Sequence, residues 1–448
     1  MNTQASSVLE SVQALEKSLE QVEATVEREG LPDDERVRRA KKAFLRKLDG
    51  RKAVDLDTCI HCGMCAEACP FYETTQDERY APVNKYHLLR RFYRREVSPM
   101  RPVFRPFTRD ITIDDLREWR HYVFDACTGC ARCDMICPMG INVSSLIRIV
   151  REGIGAADLM PPRLQRLKTE QAEKNSIVGV DGQKLREIAD QLADQGIDVP
   201  LDKDGAEIMM LTTSMEMRSF PSALAANAKI LNKAGANWTM FPEACESANL
   251  GYVAGDTAAM RVAVKRIVDK AKQHSIKTVV LPETGHGYQV LRWLGANTVG
   301  EQLPFEVLSI IEFIIREQGE GRLALKQGGA GTSVAYQDPC RLSRKGGILQ
   351  EPRDILESMG FELRETEYHG REDYCCGGGC GEYVLSTGSE LRHKVFALKK
   401  GLFEDTGADK VVTACASCRY NFLIGAEKSG WEKPIISLSE TVAEQLAD

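Results

Sequence analysis

The sequence predicts an α/β protein with a cysteine-rich helical segment ahead of the α/β part, and three observations carry that expectation. Fifteen cysteines are spread unevenly through 448 residues: eight lie between 59 and 137, none between 138 and 244, and seven from 245 to 418. Beyond residue 204, short apolar runs alternate with helical runs, the pattern of parallel strand–helix layers. Two such rounds follow one another, and the second carries cysteines where the first has mostly other residues.

Length and composition bound the rest. A chain of 448 residues exceeds what one core supports, so two or three domains are expected. With 43% hydrophobic and 28% charged residues and a net charge of −6, it reads as an ordinary soluble globular protein. No apolar run reaches the roughly 18 residues that a bilayer span requires. The nearest, FEVLSIIEFII at 305–315, contains two glutamates and is expected to be a buried helix. The N-terminus lacks the basic region and apolar core of a secretory signal. A cytoplasmic location follows, with any membrane association made through a partner. Fifteen cysteines in that setting point to metal or redox chemistry rather than a disulfide framework.

The elements follow in chain order. Val8, Val12, Leu15, Leu19, Val22 and Val26 recur at three- and four-residue steps and form one apolar stripe on a helix. That helix packs on its own protein or on a partner. Pro32 and a charged stretch lead into a cysteine-rich segment from about 50 to 155. A polar segment at roughly 156–204 reads as a linker with one short helix. EIMMLTTS, NWTMFP and KTVVLPE then read as buried strands, with helical runs at 221–234 and 257–274. A Gly-rich hinge at 326–333 precedes the second round. There SVAYQDPC, FELRETEY and KVVTAC are the strands, with helical stretches around 351–360 and 382–403.

CIHCGMCAEACP (59–70) and CTGCARCDMICP (127–138) share the spacing C-x2-C-x2-C-x3-C-P, the run of bacterial two-cluster ferredoxins. Three cysteines two residues apart wrap one iron–sulfur cube, while backbone N–H groups turn toward its sulfurs. Gly63 and Gly129 let the backbone run close, and the fourth cysteine reaches the other cube. Cys59, Cys62, Cys65 and Cys137 are thus expected to bind one cubane [4Fe–4S] cluster. Cys127, Cys130, Cys133 and Cys69 are expected to bind the second. A pair of zinc sites is the alternative. An insertion of 57 residues separates Cys69 from Cys127. With LREWRHYVFDACTGCARC, it resembles the electron-wire domains of heterodisulfide reductase C-type subunits.

The insertion holds Arg79, Lys85, Arg90, Arg91, Arg94, Arg95, Arg101, Arg105 and Arg109, with Tyr80, Tyr86, Phe92 and Tyr93 interleaved. No nucleic-acid motif accompanies this basic run and the chain is acidic overall, so no nucleic-acid partner is expected. The run reads as a docking face for an acidic or redox partner, or as a solvated surface offsetting negative clusters.

The second round carries Cys340, then Cys375-Cys376-Gly377, then Cys415 and Cys418, each element following an expected strand. Strand ends in a parallel sheet converge on one edge, so five thiolates gather there. A disulfide between Cys375 and Cys376 would close a strained ring, and zinc would leave one thiol over. The pattern resembles the CCG domain of heterodisulfide reductase B-type and D-type chains. In that family five cysteines hold a non-cubane [4Fe–4S] cluster that cleaves a disulfide. In the first round Cys375-Cys376-Gly377 is matched by Ala244-Cys245-Glu246, and the last pair by Glu283 and His286. Cys245, Glu283 and His286 are expected either to face the surviving cluster, as proton donors or substrate contacts, or to be relics. Cys380 is either a pocket residue or a small buried side chain.

Over nearly its whole length the chain resembles the fused heterodisulfide reductase D type. The single intact CCG motif places it near the K-type subunits of complexes associated with dissimilatory sulfite reductase and their relatives in transmembrane cytochrome c3 complexes. The fold class expected is α/β plus an α-helical ferredoxin. Its parts are a helical extension (1–48), a two-[4Fe–4S] ferredoxin-type domain (49–155), a linker (156–204), a degenerate CCG repeat (205–325) and an intact one (326–448). The resemblance implies an iron–sulfur oxidoreductase subunit in a hetero-oligomeric complex. Electrons would pass between a quinone-linked, cytochrome b-type membrane subunit and the non-cubane cluster through two cubanes. There a disulfide or trisulfide, such as that of the small sulfur carrier DsrC, would be reduced or formed. The alternative is the electron-transfer subunit of a flavin-linked 2-hydroxyacid or glycerol-3-phosphate dehydrogenase. A scaffold that only docks partners is a third reading.

Overall fold

The computed structural model describes residues 10, 11, 14, 17, 30–379 and 385–447. The apolar stripe from Val8 to Val26 and Cys380 lie outside the described residues.

Between residues 33 and 156 the regular elements are all helical. Helix Asp33–Lys47 lies along helix Val143–Ala156. The ring of Phe44 is so close to Gly153 that an added Cβ would fall 2.0 Å from it. Only glycine allows that approach. Leu88, Leu89, Phe92, Leu116, Leu146, Val150 and Ile154 complete this core. The segment 156–204, expected to be a linker with one short helix, instead contains two helices, Pro162–Lys174 and Gly182–Ala193. They bury Leu164 and Leu167 in the helical core and Leu185, Ile188 and Leu192 in the α/β core. Leucines spaced by three and four in an otherwise polar stretch give each helix one apolar stripe, which is enough to dock it.

The α/β part contains two four-stranded parallel sheets. The first comprises β1 (Ile208–Met210), β2 (Trp238–Thr239), β3 (Thr278–Leu281) and β4 (Glu306–Ser309), in the order β2-β1-β3-β4. The second comprises β5 (Ser333–Gln337), β6 (Glu362–Leu363), β7 (Lys410–Thr413) and β8 (Ile435–Ser437), in the order β6-β5-β7-β8. Central strands such as β5 are buried along their whole length, as expected where helices cover both faces. The run at 305–315, expected to be one buried helix, divides into β4 and helix Ile310–Gly319. Ser309 ends the strand and caps the helix in a capping box with Glu312, a break that uniform apolarity conceals. Strand β8 is a further addition to the expected elements, because its three residues, IIS, are too few to show a period.

The topology fixes where a site belongs. In each sheet the second strand is laid to one side of the first, and the third and fourth to the other. The order therefore reverses between β1 and β3, and again between β5 and β7. Loops leaving the C-terminal ends of such neighbours open a crevice. Cys340 follows β5 and Cys415 follows β7.

Candidate redox centre

The two cysteine runs fold as paired loops. Cys59, Cys62, Cys65 and Cys137 line one small cavity with Ile60, Gly63, Val83 and Tyr86. Cys69, Cys127, Cys130 and Cys133 line a second with Lys85, Thr128 and Gly129. The fourth cysteine of each run crosses to the other's cavity, because the short helix that holds the third cysteine, Met64–Glu67 or Arg132–Ile136, leads the chain away. Backbone turns at Gly63 (φ 83°) and Gly129 (φ 61°) occupy the left-handed region, where glycine is unstrained. Arg341 packs so tightly on Gly129 that a Cβ there would lie 2.6 Å from Nη2. The first cavity is at the surface: Cys62 is exposed, and so are Ile60, Met64 and Met139. The second is deeper, with Cys69 and Cys133 buried.

Cations surround these thiols, and several come from the basic run expected on the surface. Lys85, Arg90 and Arg91 are instead buried. Lys85 Nζ donates to Cys69 Sγ at 3.3 Å and to the Ala126 carbonyl, and its ammonium lies over the Phe71 ring. Tyr86 OH donates to Cys59 Sγ at 3.1 Å, and Arg90 Nη2 to the Cys59 carbonyl at 3.2 Å. Arg151 donates to the carbonyl of Cys127, Arg341 to that of Thr128 and Arg344 to that of Cys130. Burial pushes the Cys65 thiol up to about 11, and it also raises Cys127 against the pull of Lys85 and Arg151. Among the described residues, Arg90 Nε and Nη1 and Arg344 Nη2 are buried donors with no hydrogen-bond partner. An all-thiol donor set ringed by cations with unmet donors fits an anionic, thiolate-ligated group.

The remaining thiols meet beside the second cavity. Cys375 is within side-chain hydrogen-bonding reach of Cys340, Cys376 and also Cys130. Cys376 in turn reaches Cys418, and Cys418 reaches Cys415. All five cysteines of the second α/β unit named above are buried. Donors from Cys375 and Cys418 pull the Cys376 thiol down, while its thiol partners and burial push Cys375 and Cys418 up. Packed thiols cannot all ionise together without a positive partner. The glycines after the pair are filled by the protein itself. A Cβ on Gly377 would meet Val395 at 2.9 Å, and one on Gly378 would meet Asn421 at 2.6 Å. Asn421 Nδ2 donates to the Cys376 carbonyl at 2.6 Å, so the close approach positions the thiol loop.

Buried ion pairs hold the two loops. Lys399 and Asp373, both fully buried, are 2.5 Å apart just before the cysteine pair. Asp373 also accepts from the Asp338 backbone N–H at 3.0 Å, and Asp338 is held by Arg353 at 2.8 Å. Arg341 Nη1 reaches Tyr252 OH at 2.7 Å and Gln289 Oε1 at 2.5 Å, binding the Cys340 loop to the first α/β unit. Sequence reasoning does not reach Lys85, Tyr86, Arg341, Arg344, Asp373 and Lys399 as site residues, because their partners are distant in sequence and charge alone signals a surface.

The three first-unit candidates do not come together. Cys245 is buried in the sheet core and donates to the Pro242 carbonyl at 3.4 Å. Glu283 accepts from Ser437 Oγ at 2.8 Å and the Ser439 backbone at 2.7 Å, and burial pushes it up to about 7. Its carbonyl accepts from the Ala416 N–H at 2.9 Å, next to Cys415. His286 Nε2 accepts from the Asn249 N–H at 3.2 Å, so it is a neutral ring, and burial lowers it to about 4. The three side chains thus have different partners. Of the three, Glu283, through its backbone, and His286, beside Arg341, approach the thiol loops.

Two family models match the segments that carry these cysteines. Residues 55–141 match the family described as 4Fe-4S dicluster domain, and residues 334–423 the family described as Cysteine-rich domain. One relative is the D-type chain of the dihydromethanophenazine:CoB–CoM heterodisulfide reductase of Methanosarcina acetivorans. It is 28% identical over 396 residues, which cover 85% of this chain and 92% of that one. Its counterpart in Methanosarcina mazei is 25% identical over 90% of this chain and 96% of its own. The chain is an iron–sulfur protein of the heterodisulfide reductase D-like, CCG-domain kind. An Hdr-like menaquinol oxidoreductase iron–sulfur subunit of Archaeoglobus fulgidus is also similar, at 24% identity over 85% of this chain and 77% of the relative. This D-like chain therefore belongs among oxidoreductase subunits that transfer electrons through [4Fe–4S] groups. Among its described residues, no helix is long and apolar enough to cross a membrane.

Proposed function

We propose that the chain carries electrons from a surface port to a buried site where a sulfur–sulfur bond is reduced or formed. The observation behind this reading is the order of the thiols: a surface cavity, a deeper cavity, then Cys130 within reach of Cys375. Cys59, Cys62, Cys65 and Cys137 would hold the first cubane, and Cys69, Cys127, Cys130 and Cys133 the second. Cys340, Cys375, Cys376, Cys415 and Cys418 would hold the non-cubane group. When bound, the cubanes supply one-electron relay and the third group supplies two-electron cleavage or formation of a sulfur–sulfur bond.

The chain's own residues exclude water and place charge. Arg344 lies between the second and third sites and donates to Cys130 O at 3.0 Å and to the Asp373 carbonyl at 2.5 Å. The exposed apolar rim of Ile60, Met64 and Met139 suits a protein partner at the first site. That partner is proposed to be a quinone-linked, cytochrome b-type membrane subunit that keeps the complex at the membrane face. The substrate is proposed to be a disulfide or trisulfide, as on a small sulfur-carrier protein of the DsrC type. One relative, the EtfAB:quinone oxidoreductase of Syntrophomonas wolfei, is 24% identical over 82% of this chain. The chain spans 54% of that protein. It supports the second reading, relay to quinone without sulfur chemistry.

Electron paramagnetic resonance of the anaerobically purified protein decides between them. Oxidation in the presence of a thiol should produce a thiol-dependent signal that is absent from Cys376→Ala. A spectrum insensitive to every thiol tried, with quinone reduction intact, would leave the relay reading.

A further inference from the structure

Two adjacent residues address the two ferredoxin-type sites differently. Lys85 places an ammonium on Cys69 Sγ at 3.3 Å, whereas Tyr86 places a neutral hydroxyl on Cys59 Sγ at 3.1 Å. Lys85 is 1% exposed, and among the described residues no carboxylate pairs with it. A buried ammonium without a carboxylate is costly unless other negative charge lies close. The nearest such charge is the thiol set: Cys69 Sγ accepts from Lys85 Nζ at 3.3 Å, and Cys127, Cys130 and Cys133 line the same cavity. The asymmetry extends outward. Arg151, Arg341 and Arg344 donate to the carbonyls of Cys127, Thr128 and Cys130 around the second cavity. Around the first, Arg90 alone of the described residues makes the corresponding contact, at the Cys59 carbonyl.

We propose that Lys85 is the residue that makes the second site easier to reduce than the first, so that an electron entering at the surface rests beside Cys375. This rests on the reading that each set of four thiols holds a [4Fe–4S] group. The physical cause is simple. Adding one electron to a site adds one negative charge, and a fixed cation in a dry interior stabilises that charge far more than a cation in water does. A hydroxyl donor acts in the same direction but with a partial charge only. The first site, at the surface and served by Tyr86, gains less. The consequence for a two-electron reaction is that the first electron waits next to the paired cysteines while the second arrives. Lys85 is thus a positioning residue for charge, acting through Cys69.

The test is a redox titration of the anaerobically purified holo-protein, followed by electron paramagnetic resonance of the two reduced cubanes. In Lys85→Met one cubane should become harder to reduce, with the electron distribution between the two sites shifting by about tenfold, or about 59 mV for a one-electron couple. Lys85→Arg, which keeps the cation, should titrate close to wild type. Tyr86→Phe should move the other cubane in the same direction by less. The proposal is overturned if Lys85→Met retains full iron and titrates as wild type, or if both cubanes shift together. If the wild type itself shows no cubane signals, the underlying cluster assignment falls as well. If Lys85→Met does not fold, Lys85→Arg against Lys85→Gln makes the same comparison of cation with neutral donor.

Discussion

The two α/β units have one topology and two chemistries. Met209 and Ala335 pair with Val279 and Val411 at the same place in their sheets. Five residues beyond the first pair stand Ser214 and Cys340, and four beyond the second pair stand Glu283 and Cys415. Where the second unit gathers thiols, the first gathers hydroxyls and carboxyls. Glu246 accepts from the Ser214 backbone at 2.7 Å and from its hydroxyl, and from the Ala248 N–H at 2.6 Å. Glu216, in a capping box with Thr213, faces Glu283 and Glu246. The crevice at the strand ends is a property of the topology. What fills it is a property of a few residues, and the first unit closes its crevice with its own acids.

The units differ most at the two cysteines that share one position. Cys376→Ala should abolish sulfur–sulfur bond turnover, whereas Cys245→Ala should leave it unchanged and cost about 1 kcal/mol of stability, as for a small buried truncation. A disulfide-reduction assay with thermal unfolding checks both. Equal loss of turnover in the two variants would mean the first unit takes part in the chemistry.

The next effect is structural. Lys399→Met leaves Asp373 buried without its cation, and breaking such a pair costs about 3–5 kcal/mol. Lys399→Met with Asp373→Asn should recover much of that loss. A double-mutant cycle in denaturant measures it, and full additivity would show that the pair is not coupled. Gly285→Ala should cost less, about 1–3 kcal/mol, because its Cβ would meet Arg341 Cβ at 2.8 Å where the two units touch. The same denaturant titration reads it, and wild-type stability would mean that the loop can shift.

The acids of the first unit give an effect that depends on pH. Burial pushes Glu216 up to about 8, and Glu246 and Glu283 up to about 7, from an ordinary value of 4.5. The folded state therefore holds protons that the unfolded state has lost. The stability from these groups is complete below the unfolded value and is lost as pH rises through 7 to 8. Each group contributes a slope of up to about 1.4 kcal/mol per pH unit over that window. Glu216→Gln should flatten the fall in melting temperature between pH 5 and pH 8. An unchanged slope would place its titration elsewhere.

Much of this is legible in the sequence, and the reasons are physical. Spacing alone marks the ferredoxin-type loops, because a cube held by three nearby cysteines demands it. The positions after β5 and β7 are legible because strand ends in parallel sheets converge. Less legible are β4 and β8, whose short apolar runs carry no period. The docked helices at 162–174 and 182–193 are hidden because few residues of each are apolar. Lys85 looks like surface charge, since nothing local announces that its partner is a thiol sixteen residues away. Glu283, His286 and Cys245 share a correspondence in sequence but diverge in space, because the core claims Cys245 and the last strand claims Glu283.

Whether the second unit's five thiols hold an iron–sulfur group of their own is the question on which the rest depends. Iron and acid-labile sulfide in the anaerobically purified chain test it most directly. Three groups require about twelve irons per chain, falling to about eight in Cys376→Ala while the cubane signals persist. About eight irons in the wild type, with no change in the variant, would contradict it.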